Sequence, residues 1–347
     1  MLTKDYYFDL PEELIAQEPS ERRGEDRLLL IDKLTGAYED HMMADFPSLI
    51  HPDSVIVVNN SKVRKARVYG ESETGGIVEF LFLGMEGDGT WKCMVTKTKK
   101  QRKGKGYVFF LKDGTKSDIT GVIERENPDG TRSVRLDRVV DESFFSDCGH
   151  VPLPPYIKRD DNWNDESRYQ TVYAKNIGSV ASPTAGLHFT VPLMEKVKSM
   201  GIPIYEVTLH VGAGTFLPVR TENIEDHHMH TEHYEITDET ADALNRAKSS
   251  GKRIVAIGTT SVRTLESAAD ENGRLSKLYG NTDIFIHPGY SFRFIDDLLT
   301  NFHTPESTLL MLVSALAGRE HILSAYEHAI KERYHFFSYG DAVFIRG

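Results

Sequence analysis

The chain has 347 residues, 39% hydrophobic and 27% charged, and its 41 basic and 52 acidic residues give a formal net charge of −11. This length fits one large domain with an insertion, or two domains, and the composition is that of a globular protein. The negative charge argues against a protein that coats nucleic acid indiscriminately, and no apolar run approaches the ~20 residues of a membrane helix.

The first residues and the cysteines indicate the cellular location. Residues 1–8 lack the basic segment and apolar core of a signal peptide, so we expect a cytoplasmic protein without a membrane partner. Only Cys93 and Cys148 are present, too few for a disulfide framework or a cysteine-rich metal site. We expect two free packing thiols in a reducing compartment.

The first 60 residues predict the start of an α/β domain. A proline at the start of residues 10–16 favours a short helix, and residues 27–32 predict a strand that turns at a glycine and returns from Tyr38. Residues 54–60 predict a buried strand that ends in Asn59 and a second asparagine. Amides at strand ends are frequent ligand sites, although asparagine is also common in turns. Asn59 is therefore a candidate binding residue.

Residues 61–149 have a different texture. Short apolar runs alternate with Asp-Gly and Gly-Gly turns, which is typical of antiparallel strands joined by tight loops. The pattern fits a small β-barrel or sandwich, and we predict a small antiparallel β-barrel domain inserted into a mixed α/β catalytic domain made of residues 1–60 and 150–347.

The densest run of positive charge lies on this insert, at residues 97–105. It has six basic residues and no acidic one, which predicts a confined site for a polyanion and makes the insert a candidate nucleic-acid arm. The alternative is a solvated hairpin tip. The basic residues are Lys97, Lys99, Lys100, Arg102, Lys103 and Lys105.

After residue 150 strands and helices alternate, which predicts an α/β core. Thr190 can cap a helix that runs to residues 200–201, and another helix is predicted from Thr237 to residues 250–251. Residues 253–258 predict a buried strand and residues 283–286 a further one. Two helices follow, over residues 308–317 and 322–333.

Two stretches of small and polar residues predict active-site loops, at residues 179–190 and 209–216. Each places one histidine, His188 or His210, among Gly, Ser, Thr and Ala, which let a backbone approach a ligand closely. Either could instead be an ordinary turn with a half-buried histidine. Two such loops in one αβ unit favour the functional interpretation.

Other residues could take part in proton transfer or anion binding. His230 and His303 join the two loop histidines as candidate acids or bases, because histidine titrates near cellular pH. Thr260 and Ser261 lie at a predicted helix N-terminus, and Arg263 could clamp a carboxylate. The alternative for Arg263 is a surface ion pair with the nearby Glu266.

Several cofactor classes are not indicated. The sequence has no phosphate-binding loop of the ATPase type, and residues 212–217 lack the third glycine of a dinucleotide fingerprint. The histidine-rich residues 226–233 match no common metal-ligand spacing, and consecutive side chains of an extended segment point apart. We therefore predict no metal.

Ten blocks of the sequence carry a family resemblance. They are residues 10–19, 57–62, 152–159, 168–173, 181–190, 208–216, 228–230, 258–267, 301–303 and 337–341. Together they resemble the S-adenosylmethionine:tRNA ribosyltransferase-isomerases of queuosine biosynthesis, nearly end to end and in the same order. Small departures are Ser182, where many relatives have Ala, and Ala213, where Leu is common. The insert is similar only loosely.

The resemblance implies an unusual use of S-adenosylmethionine. Its ribosyl part is transferred to 7-aminomethyl-7-deazaguanine at the tRNA wobble position and isomerised, which gives epoxyqueuosine, adenine and methionine. The sulfonium acidifies the neighbouring C5′–H, so a base must remove that proton, while adenine needs a proton to leave. The sulfonium is itself the activating group, so the chemistry requires no metal. The family's substrates are the Tyr, His, Asn and Asp tRNAs, and we expect a monomer.

Against this chemistry the candidate residues take provisional roles. His188, His210 and Thr184 are assigned to catalysis, with either histidine as the proton-transfer residue. The basic residues of the insert are assigned to tRNA. The remaining candidates are assigned to substrate binding: Ser182, Thr260, Ser261, Arg263, Asn301, His303, Asn59 and Tyr173.

Two other functions stay open. A metal-independent nucleoside or glycosyl hydrolase could use the same loops on small molecules without tRNA. A non-catalytic RNA-binding protein would bind tRNA with a steep salt dependence and consume no S-adenosylmethionine. The acidic net charge and the missing aromatic-rich RNA motif count against the latter.

Overall fold

The structure is a computed structural model that describes residues 1–212, 214 and 219–347. Eighteen strands lie in this described part of the chain: β1 Arg27–Asp32, β2 Tyr38–Met42, β3 Ser54–Asn59, β4 Ser61–Val63, β5 Arg67–Ser72, β6 Ile77–Met85, β7 Trp91–Val95, β8 Gly106–Phe110, β9 Lys116–Glu126, β10 Arg132–Leu136, β11 Gly149–His150, β12 Asn176–Ser179, β13 Ile204–Leu209, β14 Glu232–Glu235, β15 Arg253–Ile257, β16 Tyr279–Thr282, β17 Asp297–Asn301 and β18 Ala342–Arg346.

The helices are short, and most of the longer ones follow residue 190. Over the described residues they are α1 Phe46–Leu49, α2 Glu142–Cys148, α3 Asp165–Arg168, α4 Val191–Ser199, α5 Asp238–Ser249, α6 Thr259–Ala268, α7 Thr308–Ala317 and α8 Arg319–Lys331. Two 3-10 helices matter below, Glu12–Leu14 and Thr184–His188. None of the described helices is long and apolar enough to cross a membrane.

A mixed sheet forms the centre of the larger domain. In the described part of the chain it has nine strands in the order β16-β14-β13-β3-β15-β17-β18-β1-β2. The strands β13, β3, β15 and β17 are parallel to one another, so their carboxyl ends lie at the same edge. Because β18 is antiparallel to β17 and parallel to β1, the amino ends of β18 and β1 also lie at this edge.

Helices cover both faces of this sheet. Alternate residues of a strand point to opposite faces, so Val55 and Val57 pack with α5 to α8 while Ile56 and Val58 pack with α1 and α4. A strand that is buried on both faces reads as a continuous apolar run. This is why residues 54–58 were recognisable as a strand from the sequence.

The insert closes into a barrel. The strands β5, β6, β7, β10, β9 and β8 follow one another in antiparallel order, and β8 pairs back to β5. An aromatic cluster that includes Phe80, Phe82 and Phe109 fills the interior. The prediction of a mixed α/β domain in two chain segments with an inserted antiparallel barrel is confirmed.

The boundaries of the insert, residues 61 and 149, stay a prediction. The strand β4 pairs with β12 rather than with the barrel, while β11 extends the barrel at β5. The segments on either side are tied together by ion pairs, because Glu166 binds both Lys65 and Lys112.

The predicted helix termini are mostly correct because their caps are local. Thr190 Oγ1 accepts from the backbone N–H of Leu193, and Thr237 Oγ1 accepts from that of Thr240, as the capping pattern requires. The helix predicted over residues 322–333 begins three residues earlier, at Arg319. The helix predicted over residues 10–16 is only one 3-10 turn.

The strand predicted over residues 283–286 is wrong. Its place is taken by β16, which ends at Thr282 and pairs with β14. Ile286 is buried and Ile284 packs against the same core, so the apolar residues that suggested a strand are used for packing without ladder hydrogen bonds. Apolar alternation alone does not distinguish these two cases.

Candidate active site

Predicted site residues gather where the four parallel strands end. Asn59 is the last residue of β3, Asn301 is the last of β17, His210 directly follows β13, and Thr260 lies in the first turn of α6, just after β15. Ligands of open α/β sheets bind at the carboxyl ends of parallel strands. The fold therefore brings residues from distant parts of the chain to one edge.

At this edge four buried or half-buried side chains form a hydrogen-bonded chain, which we call the His188 network: Asp26, His188, Asn301 and Thr184. The His188 Nδ1 lies 2.8 Å from Asp26 Oδ2, and its Nε2 lies 3.0 Å from Asn301 Nδ2. Thr184 Oγ1 donates to Asn301 Oδ1 at 2.9 Å. His188 is only 2% exposed, so both ring nitrogens are satisfied inside the protein.

The backbone carbonyl of Phe337 fixes the direction of these bonds. It accepts from Asn301 Nδ2 at 3.2 Å, and a carbonyl oxygen can only accept. The amide nitrogen of Asn301 must therefore face both the carbonyl and His188, so the imidazole Nε2 is an acceptor. The proton of the ring is then on Nδ1, and it is donated to Asp26.

Sequence reasoning missed Asp26, whose carboxylate contacts the predicted catalytic residue His188. It directly precedes β1, is 9% exposed, and lies beside a narrow pocket whose lining includes Ser20, Arg168 and Tyr339. Burial by itself would raise the pKa of this carboxyl, but the attraction and hydrogen bond of His188, with smaller contributions from Ser20 and Arg168, lower it below its usual range. An aspartate before a strand gives no local signal of such a partner.

The loop that contains His188 is packed tightly against its neighbours. A Cβ on Gly186 would lie 2.0 Å from the Tyr173 hydroxyl oxygen, so only glycine fits there. That hydroxyl is buried without a hydrogen-bond partner among the described residues, and burial raises its pKa. Ser182 Oγ is also buried and has no partner in the described part of the chain. Both hydroxyls could still bind a ligand.

The first turn of α6 contacts the same loop. Gly258 precedes the helix at φ 84°, and a Cβ there would lie 3.5 Å from Ala185 Cβ and 3.6 Å from Thr260 Oγ1. Ser261 Oγ donates to the carbonyl of Ile257 at 2.7 Å, which leaves it only acceptor capacity. Thr260 Oγ1 is buried and has no partner among the residues described.

Arg263 and Glu232 form a buried ion pair, which corrects the alternative of a surface pair with Glu266. The Arg263 Nη1 contacts Glu232 Oε2, and the other carboxylate oxygen accepts from the Gly212 backbone N–H at 2.8 Å. Glu266 is buried too, and it accepts instead from backbone N–H groups that include Arg293 and Phe294. Within the described residues Nε and Nη2 of Arg263 have no partner.

His210 has different surroundings from His188. Its ring lies against Gly178, where a Cβ would meet the ring at 2.7 Å, and its Nδ1 has no partner among the described residues. Burial lowers the pKa of His210, and the nearby positive charges of His233 and Arg64 lower it further. Of the predicted loop that contains it, residues 213 and 215–216 lie outside the described residues.

The side chains of His303 and Asn59 form hydrogen bonds within the protein that stabilise the fold. His303 Nε2 lies 3.1 Å from Thr300 Oγ1, and burial lowers the pKa of its imidazole to about 3. Asn59 is fully buried, and its amide donates to the Leu209 carbonyl at 3.0 Å and accepts from the Leu209 N–H at 3.0 Å. It thereby holds the strand end that leads to His210.

The histidine-rich residues 226–233 do not form a metal cluster. Over the described residues, no three His, Cys, Asp or Glu side chains converge in a way that could hold a metal ion. The ring of His230 lies against Gly214, and His233 Nδ1 lies 3.3 Å from Asn281 Oδ1. The predicted acid-base candidate His230 is thus beside the second loop and separate from the His188 network.

The basic residues 97–105 form a connection across the end of the barrel and not the tip of a hairpin. They join β7 to β8, which are separated in the barrel by β10 and β9. Buried Arg132 anchors the connection by donating to the carbonyls of Gln101 and Thr98. Arg102 pairs with Glu126, and Lys105 is half-buried, whereas four lysines are exposed: Lys97, Lys99, Lys100 and Lys103.

The sequence is similar to known proteins over its full length. A family model described as queuosine biosynthesis protein matches residues 3–345. A protein of Treponema denticola named S-adenosylmethionine:tRNA ribosyltransferase-isomerase is 54% identical over 99% of this chain and all of its own length. One of the same name from Clostridioides difficile is 46% identical over both full chains.

A solved structure is similar as well. The crystal structure of S-adenosylmethionine tRNA ribosyltransferase from Thermotoga maritima at 2.00 Å resolution is 35% identical in sequence, with a TM-score of 0.56. The likeness covers 98% of this chain and 99% of that one. Sequence and structure thus point to the same group of proteins.

Proposed function

The chain belongs to the queuosine biosynthesis protein family, and on this basis we propose that it is an S-adenosylmethionine:tRNA ribosyltransferase-isomerase. It transfers and isomerises the ribosyl group of S-adenosylmethionine onto 7-aminomethyl-7-deazaguanine at the tRNA wobble position. The products are epoxyqueuosine in tRNA, adenine and methionine. The observation that carries the proposal is the 54% identity to a relative of that name over its whole length.

The site offers the groups that this reaction needs. A base must remove the acidified C5′ proton, and His210 is suited to accept it, because burial lowers its pKa and keeps the imidazole neutral near neutral pH. His188 is the other candidate, although both of its nitrogens already have partners. No metal is assigned a role, since the sulfonium itself activates the ribosyl group.

Polar groups without partners support the substrate-binding assignments. The hydroxyls of Ser182 and Thr260 are buried with nothing to bond to among the described residues, and such groups cost stability unless a ligand or water satisfies them. We assign them, with Ser261, to the ribose or the methionine carboxylate. Arg263 anchors that carboxylate through the guanidinium nitrogens that Glu232 leaves free.

The remaining assignments follow from position. Thr184 faces the substrate, and Asn301 at the end of β17 holds Thr184 through its amide oxygen, while Asn59 and His303 shape the site from within and Tyr173 supports the loop of Gly186. The barrel, residues 61–149, acts as a tRNA arm, with the basic residues of 97–105 on the phosphate backbone. The enzyme acts as a cytoplasmic monomer on the Tyr, His, Asn and Asp tRNAs.

The reaction can be tested with the purified protein. Incubated with S-adenosylmethionine and tRNA that carries 7-aminomethyl-7-deazaguanine, it should release adenine and methionine in equal amounts. The matched control is the same tRNA with unmodified guanine, which should release neither. Adenine release that needs no tRNA would support the hydrolase alternative, and tRNA binding without any adenine release would support the RNA-binding alternative. Either result would overturn the proposal.

A further inference from the structure

The His188 network contains a residue with no established task, Asp26. It is buried, and among the described residues its carboxylate accepts a hydrogen bond from His188 Nδ1 at 2.8 Å. A buried carboxylate is costly unless it is paired and hydrogen-bonded. Its carboxylate contacts the imidazole rather than the hydroxyls that have no partner among the described residues, so the route from Asp26 to those hydroxyls runs through other side chains.

His188 and Asn301 connect Asp26 to Thr184, and each hydrogen bond along this route has a fixed donor and acceptor. With Nδ1–H held by Asp26, the imidazole presents a lone pair at Nε2, and this lone pair requires the amide nitrogen of Asn301 at 3.0 Å. The amide oxygen of Asn301 is thereby turned toward Thr184. Reversing the amide would place its oxygen against the Phe337 carbonyl, oxygen against oxygen, so the arrangement has one consistent direction.

The direction of these hydrogen bonds determines which hydrogen bonds the Thr184 hydroxyl can still form. A threonine hydroxyl has one proton and two lone pairs, and the Thr184 hydroxyl donates its proton to Asn301 Oδ1 at 2.9 Å. Thr184 is half-buried, at the start of the 3-10 helix that ends with His188. For any further partner, the Thr184 hydroxyl can therefore only accept a hydrogen bond.

We propose that Asp26 is a positioning residue that orients the Thr184 hydroxyl through the two side chains between them, so that its lone pairs face the substrate. Thr184 then accepts a hydrogen bond from a hydroxyl or ammonium group of the substrate. The inference rests on the proposed function for the identity of that substrate. The direction of the hydrogen bonds in the His188 network is a property of the folded protein alone.

The coupling between Asp26 and Thr184 can be measured with a double-mutant cycle on kcat/KM for adenine release. We expect Thr184→Val to lower kcat/KM by about tenfold, the effect of losing one hydrogen bond to substrate, and Asp26→Ala by about as much or more. Because Asp26 acts through Thr184, the double variant should be close to the worse single variant. Losses that multiply would show independent action and overturn the inference.

A matched control separates this coupling from simple damage to the site. Glu266 is another buried carboxylate, but it accepts from the backbone N–H groups of Arg293 and Phe294 and has no contact with His188 among the described residues. Combined with Thr184→Val, a Glu266→Gln substitution should give losses that multiply. If Asp26→Ala is too unstable to assay, Asp26→Asn keeps the shape, and the cycle should show a smaller coupling of the same sign.

The orientation can also be tested without turnover. In the protein labelled with 15N-histidine, the His188 signals at neutral pH should show a proton on Nδ1 and none on Nε2. In Asn301→Asp a carboxylate faces Nε2, and both nitrogens should then carry protons. A wild-type spectrum with the proton on Nε2 would overturn the inference even if adenine release is observed. Failure of the wild type to release adenine would instead overturn the proposed function.

Discussion

At the scale of single residues, burial distinguishes histidines that look equivalent in the sequence. His303 has a pKa of about 3 because burial disfavours its charged form, so it stays neutral at cellular pH and serves as a hydrogen-bonding group. His210 is half-buried and its Nδ1 has no partner among the described residues, whereas both ring nitrogens of His188 have partners. The three residues therefore cannot share one role.

The low pKa of His303 predicts a specific pH dependence of stability. An unfolded histidine has a pKa near ~6.5, so between that pH and about 3 the unfolded chain binds a proton that the folded protein excludes. Stability should therefore rise with pH across this window, by at most about 1.4 kcal/mol per pH unit from this residue. We expect His303→Gln to flatten the slope of the unfolding free energy between about pH 5 and 6.5.

Urea denaturation at a series of pH values measures this slope. The exposed residue His335 offers a control for the loss of one imidazole, as His335→Gln. A slope in His303→Gln that equals that of the wild type would contradict the prediction.

At the scale of elements, sequence reasoning worked where the signal is local. The buried strand before Asn59 and the threonine caps of α4 and α5 are determined by neighbouring residues, and the structure confirms them. The paired residues of the site could not be predicted in this way. Glu232 lies 31 residues from Arg263, whereas the local charge pattern favoured the incorrect partner Glu266.

The omission of Asp26 has a topological cause. Its contact with His188 spans 162 residues, and it exists because β18 places β1 antiparallel to β17. A strand order of this kind is set by pairing across the whole sheet, which no local pattern reveals. By contrast, His188 was found because it lies in a stretch of small and polar residues, and Asn301 because it belongs to the block of family resemblance at residues 301–303.

The buried ion pair of Arg263 on α6 with Glu232 on β14 leads to a prediction about stability. Removing one member of a buried ion pair leaves the other charge uncompensated, which typically costs about 3–5 kcal/mol. We therefore expect Glu232→Gln to lower the free energy of unfolding by this amount, while the double variant Glu232→Leu with Arg263→Met loses much less than the sum of its single substitutions.

Urea denaturation of the wild type and four variants, namely Glu232→Gln, Glu232→Leu, Arg263→Met and the double variant, measures both effects. The exposed pair of Arg138 with Asp118 is the control, and Asp118→Asn should cost less than about 1 kcal/mol. Additive losses in the Glu232 and Arg263 double variant would refute the assignment of a coupled buried pair.

At the scale of the whole molecule, charge is unevenly divided. Residues 61–149 contain seventeen Lys and Arg and fourteen Asp and Glu, so the insert is positive although the chain carries −11. Several basic residues of the barrel are held in ion pairs, whereas the lysines at 97, 99, 100 and 103 are exposed. Attraction of a polyanion is therefore confined to one end of the barrel.

This division predicts how tRNA binding depends on salt. Each phosphate contact that is lost reduces the slope of log K against log salt by about 0.7 to 0.9. We expect neutralisation of the exposed lysines to Gln to weaken binding and to lower the slope by about two to four units, as measured by fluorescence anisotropy over a range of salt. The substituted residues are Lys97, Lys99, Lys100 and Lys103.

A control variant with the same change in net charge distinguishes the loop from the barrel as a whole. It neutralises four residues that already pair with acids on the barrel surface: Lys116, Arg125, Arg135 and Arg138. An equal loss of slope in this control would mean that binding follows net charge, and the loop would then have no special role.

The position of β18 in the sheet also determines the order in which the enzyme can be assembled during translation. It is the last described strand in the chain, yet among the described strands only β18 connects the β1–β2 hairpin to the rest of the sheet. The barrel strands all lie between Arg67 and Leu136, so they can close while later residues are still inside the ribosome. Because β1 joins the sheet through β18, we expect Asp26 to reach His188 only after β18 has emerged, so that a nascent chain has its barrel before it has its His188 network.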